Sequence, residues 1–72
     1  MREEQVKLLD VVALLVDKPM EGLAAGHVGT VVEVFSSGVL EVEFLDPSGH
    51  TFALAELKRG EVLLLKHEPV TA

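Results

Sequence analysis

The sequence predicts one small all-β domain: five short strands in a strongly bent antiparallel sheet, with a long loop after the first strand. Three observations carry that expectation. Apolar and polar residues alternate over residues 40–44 and again over 28–35, the period-two pattern of a strand. Glycine, proline, serine and aspartate cluster between the apolar runs, where turns are needed. The chain has 72 residues, enough for one domain and no more.

Residues 11–16 (Val-Val-Ala-Leu-Leu-Val) form an apolar run bounded by Asp10 and Asp17. Its length, its three valines and the following Lys18-Pro19 predict a strand buried on both faces. Residues 17–27 hold Pro19, Gly22 and Gly26 and read as a long loop. In residues 28–35, Val28, Thr30, Val32 and Val34 share one face, expected to be the core face. Gly29, Val31, Glu33 and Phe35 share the other. Phe35 is thus expected outside the core, covered by the long loop or by another subunit. Ser36-Ser37-Gly38 reads as a tight turn.

Leu40, Val42 and Phe44 then alternate with Glu41 and Glu43, one face dry and one face wet. Asp46-Pro47-Ser48-Gly49 has the residues of a β-turn, with proline second and glycine fourth. Residues 51–57 continue the alternation, with Phe52 and Leu54 expected inward. Residues 56–60 predict a short 3₁₀ turn, and residues 62–65 a last apolar strand. The first few residues are expected as a lead-in, and residues 66–72, with Pro69, as a frayed tail. Gly26, Gly29, Gly38 and Gly49 are expected as structural turn residues. This element order is that of an SH3-like barrel, in which closure hides sheet edges.

Composition narrows the function classes. Hydrophobic residues make up 49% of the chain, high for a domain that buries only about 60% of its unfolded surface. There is no cysteine, so a disulfide or a thiolate metal site is excluded. The apolar excess points to self-association or to a surface that a partner buries. A homodimer pairing through the first and last strands is the expected form. Lys and Arg total 6 and Asp and Glu total 12, for a net charge of −6. Nucleic-acid backbones are bound mainly by neutralising cations, so this balance opposes nucleic acid and anionic membranes and suits a basic protein partner. No stretch reaches the roughly 18–20 apolar residues of a membrane helix. The charged start, Met1-Arg2-Glu3-Glu4-Gln5, lacks the features of a secretory signal, and a cytoplasmic protein is expected.

No catalytic constellation presents itself, and no enzyme is expected. Ser36, Ser37 and Ser48 are all turn residues. His27, His50 and His67 lie far apart with no second ligand type at metal spacing, so no metal and no cofactor is expected. Trp and Tyr are absent, which removes the aromatic groove that binds proline-rich peptides. Residues 26–31 (Gly-His-Val-Gly-Thr-Val) resemble the glycine pair of RNA-contacting KOW-type barrels, but the flanks are Ala24, Ala25 and Glu33 rather than basic. A structural glycine pair is the simpler explanation. Glu33, Glu41 and Glu43 are expected on one outer face. Carboxylates there keep a sheet soluble, or they form a docking surface for a basic partner; the long loop, at Met20 and Leu23, is the alternative contact surface. A non-catalytic protein-binding module is the expected function; a KOW-like nucleic-acid-binding module is the alternative.

Several segments together resemble a known family. They are Asp10-Val11-Val12-Ala13-Leu14, Gly22-Leu23, residues 26–32 (Gly-His-Val-Gly-Thr-Val-Val), Leu40-Glu41-Val42-Glu43-Phe44 and Leu63-Leu64-Leu65. Over residues 9–66 the chain resembles the 4926 family of bacterial domains of unknown function. The resemblance implies an SH3-like barrel in a small stand-alone bacterial protein. Members are often encoded beside a second small gene of toxin-like character, which implies an antitoxin or immunity role. The family offers no catalytic or binding residue to carry over.

Overall fold

The computed structural model of the protein describes residues 5–65. Five antiparallel strands form one sheet: β1 (Val11–Leu14), β2 (Val28–Val34), β3 (Leu40–Leu45), β4 (Thr51–Leu57) and β5 (Val62–Leu64). Their order is β4-β3-β2-β1-β5. Two 3₁₀ turns interrupt the connections, at Pro19–Glu21 and Arg59–Glu61, and no α-helix occurs among the described residues. This all-β arrangement, with a 3₁₀ turn leading into the last strand, is consistent with an SH3-like barrel.

The core is formed by Val12 and Leu14 of β1, Val31 of β2, Leu40, Val42 and Phe44 of β3, Ala55 and Leu57 of β4, and Val62 of β5. Val6 from the lead-in and Leu23 from the long loop complete it. Full burial of each large side chain contributes about 1.5–3 kcal/mol. β3 sets the pattern: its residues alternate between buried and outward-facing as the sequence dictates.

Three strands depart from expectation in phase or extent. β1 ends at Leu14, and Leu15 and Val16 are exposed. Only Val12 and Leu14 are fully buried; Val11 and Ala13 are partly covered, so β1 is not buried on both faces. Its ladder partners, β2 and β5, occupy both of its edges. β1 therefore has no free edge with which to pair a second copy, and only β4 and β5 end the sheet.

In β2 the core face is the one carrying Gly29 and Val31, not the one carrying Val28 and Thr30. The register shifts between Val31 and Glu33, so Val32 is an extra residue without a partner on β3. A bulge of this kind bends the strand and moves the following side chains to the other face. Gly29 is not a turn glycine. It lies buried within β2, where a Cβ would stand 2.7 Å from Val42 Cγ1 and 2.8 Å from the Glu43 carbonyl oxygen. Gly26, Gly38 and Gly49 do take positive φ in turns, at 97°, 90° and 91°. Phe35 sits at the end of β2, where its N–H donates to the Val39 carbonyl, and it is partly exposed.

In β4 the inward residues are Ala53, Ala55 and Leu57, opposite Phe44, Val42 and Leu40. Phe52 and Leu54 are not core residues; both are about half exposed. A second register shift, between Phe44 and Leu45, makes Phe52 the extra residue. Its ring rests at the rim against Phe44 and, edge to face, against His27.

Candidate functional site

The outer face of β2, β3 and β4 presents three rows of side chains, fixed by register. One row is acidic: Glu33, Glu41 and Glu56 stand opposite one another across the three strands. The next row is mixed, with Thr30, Glu43 and Leu54. Beyond the Gly29–Phe44 pair lie Val28 and Leu45, and Leu45 pairs with Thr51. The apolar side continues past β2, because Ala13 of β1 pairs with both Val28 and Leu63. Val28, Leu45, Leu54 and Leu63 are 49–55% exposed.

The acidic row works against the fold. Like charges directly opposite across a ladder are destabilising, by roughly 0.2–1 kcal/mol per pair. Two such pairs occur, Glu33–Glu41 and Glu41–Glu56. Among the described residues none of the three carboxylates has a cationic partner; the ion pair there is Lys18–Glu61, elsewhere on the molecule. Glu43 differs, because the Thr51 hydroxyl donates to its Oε2 at 2.5 Å. The face therefore brings together Glu33, Glu41 and Glu43 as expected, and adds Glu56 and Leu54, which sequence reasoning passed over. Glu56 was legible in principle as the outward neighbour of Leu57. Leu54 was missed because it was expected in the core.

The long loop does not behave as one contact surface. Met20 is 95% exposed at the first 3₁₀ turn. Leu23 is only 3% exposed and belongs to the core, so it is no contact residue. Paired backbone hydrogen bonds between Lys18 and Leu23 fold the loop back and drive Leu23 inward. Asp17 Oδ1 accepts the Ala25 N–H at 2.9 Å and closes the loop at its base.

Two carboxylates hold turns rather than a site. Glu61 Oε1 accepts the Lys58 N–H at 2.9 Å, and Oε2 meets Lys18 Nζ at 3.0 Å. The Glu61 carbonyl also accepts the Leu15 N–H. One residue thus ties the second 3₁₀ turn to the long loop and to the end of β1. The Lys58 N–H, then Lys18, hold the Glu61 carboxyl below its ordinary value. Asp46 Oδ1 accepts from the Ser48 hydroxyl and from the N–H groups of Ser48 and His50. The Ser48 hydroxyl, then the His50 N–H, lower the Asp46 pKa.

His27 and His50 stand one residue before β2 and β4, as expected. His27 Nδ1 accepts the Ala24 N–H at 3.0 Å, and His50 Nδ1 lies 2.8 Å from the Ser48 hydroxyl. His67 lies outside the described residues. Among the described residues no three His, Asp or Glu side chains group as metal ligands, and no helix is long and apolar enough to cross a membrane.

No curated protein and no solved structure matches the chain. A family model described as a domain of unknown function (DUF4926) matches residues 8–64, which span all five strands and both 3₁₀ turns. The chain belongs to that family.

Proposed function

We propose that the protein is a non-catalytic protein-binding module whose β2–β4 outer face receives a positively charged protein partner. The observation that carries this reading is the Glu33–Glu41–Glu56 row, three carboxylates abreast, none of them in an ion pair among the described residues. Solubility alone does not require like charges aligned abreast, since interspersed charges of both signs also keep a surface soluble. A face that must meet cations gains from the row itself, because complementary potential speeds encounter and fixes the partner's register. The same row, on a chain of net charge −6, repels nucleic acid. A neutralising role of antitoxin or immunity type is one case of this reading. A cysteine-free chain suits the reducing cytoplasm, where we place it.

The test is affinity capture from the host lysate, with and without nuclease, by the wild-type chain and by a Glu33→Lys, Glu41→Lys, Glu56→Lys triple variant. The expected result is one protein held by the wild type, resistant to nuclease and lost with the triple variant. Capture that disappears with nuclease, or that the triple variant retains, overturns the reading.

A further inference from the structure

We infer that the exposed apolar side chains of the outer face are the seat of an amphipathic basic α-helix contributed by the partner. The inference rests on the protein-binding reading and goes beyond it by naming the occupant. The docking surface is the apolar set Val28, Leu45, Leu54 and Leu63. The acidic row at its border selects what docks there.

Spacing favours a helix that lies across the strands. Neighbouring strands are about 4.8 Å apart, so the carboxylates of Glu33, Glu41 and Glu56 recur at about that interval. On a helix, residues at i, i+4 and i+7 share one flank and advance by about 5–6 Å per turn. Lysines or arginines at that period fall in step with the carboxylates. An extended segment repeats each face at about 6.8 Å and falls out of step. The width agrees as well. The three rows are separated by two residue pairs each, so the acidic and apolar rows lie about 14 Å apart. A helix about 10–12 Å across, seated over Thr30, Glu43 and Leu54, reaches both rows with its two flanks.

Charge decides against other occupants. A second copy of this chain carries −6 and brings carboxylates to carboxylates. Strand addition at β4, the end of the sheet that carries the acidic row, meets a bulge at Phe52 and the charge of Glu56.

The experiment titrates the intact protein with two labelled Leu/Lys peptides of equal composition at physiological salt. One, about 18 residues or five turns long, places leucines at helical period beside a lysine flank. The other alternates leucine and lysine at strand period. Anisotropy gives the affinity, and amide chemical shifts map the contact. The helical peptide is expected to bind about tenfold tighter, with shifts centred on Val28, Glu41, Leu45 and Leu54. Leu54→Ser and Val28→Ser, both exposed positions that leave the core intact, are each expected to weaken it by about five- to tenfold. Equal affinity for the two peptides, shifts elsewhere, or indifference to both serine variants overturns the helix. If lysate capture still depends on the Glu33, Glu41 and Glu56 charges in that event, the binding-module reading survives and only the helical occupant is lost.

Discussion

Replacing Gly29 with alanine adds one methyl group at the tightest point of the sheet. The new Cβ would stand 2.7 Å from Val42 Cγ1, 2.8 Å from the Glu43 carbonyl oxygen and 2.9 Å from Phe44 Cδ1. Carbon atoms in ordinary contact sit about 3.5–4.0 Å apart, so the methyl group is short of room by roughly 0.5–1 Å on three sides. None of the three neighbours moves freely. Val42 and Phe44 are fully buried, and Glu43 lies in the β2–β3 ladder opposite Thr30. Forcing one methylene into a packed core costs typically about 1–3 kcal/mol, and three simultaneous clashes place Gly29→Ala near 3 kcal/mol. A chain of this size holds about 4–11 kcal/mol in total. At roughly 4–8 °C per kcal/mol, the melting temperature falls by about 12–24 °C. Thermal and urea unfolding followed by circular dichroism measures this directly. Gly60→Ala is the control: nothing lies within 4 Å of its Cβ and its φ is ordinary, so stability changes by less than about 1 kcal/mol. A Gly29→Ala protein that melts within a few degrees of wild type refutes the packing described for β2 against β3.

Other substitutions test other parts of the structure. Leu23→Ala is expected to lose about 2–4 kcal/mol by urea unfolding, as a core deletion, while Met20→Ala stays within about 0.5 kcal/mol. Glu61 has a lowered pKa in the folded state, so it stabilises the fold above the ordinary carboxylate range, and that stability is lost as pH falls through the folded value. Urea titrations across pH 2–7 should therefore show a shallower acid loss for Glu61→Gln, together with lower stability at neutral pH. Leu9 adopts a φ of 71°, a conformation that strains a side chain by about 1–2 kcal/mol. Leu9→Gly is expected to raise the melting temperature by a few degrees despite removing a side chain, because Leu9 is largely exposed.

How far the sequence reveals this molecule depends on what fixes each strand's phase. β3 was legible because its inward residues are all large and alternate with the charged Glu41 and Glu43. The turns at Gly38 and Gly49 were legible from residue type, and both glycines take the positive φ that such turns need. In β4 side-chain bulk does not track burial. Phe44 fills the space across from Ala53, so the small residues of β4 go inward and Leu54 goes out. β2 misled for a related reason. Valines lie on both of its faces, and what sets the phase is Gly29, the residue that fits beneath Val42 and Phe44. The bulges at Val32 and Phe52 leave no mark that period-two reasoning detects. On the outer face, Glu33, Glu41 and Glu43 were foreseen, but the alignment of Glu56 with Glu41 required the register. Leu23 reads as a loop contact in the sequence because nothing local shows that the Lys18–Leu23 pairing turns it inward.

The most direct measurement sets stability against binding for one substitution, Glu41→Lys. Glu41 is the middle of the acidic row, so a lysine there replaces two repulsive cross-strand pairs with two attractive ones. At roughly 0.2–1 kcal/mol per pair, the melting temperature should rise by several degrees. Capture of the partner from lysate should fall at the same time. A more stable protein that binds less shows that the carboxylate row is retained for recognition at the expense of the fold. A variant that gains no stability, or one that captures its partner as well as wild type, contradicts that claim.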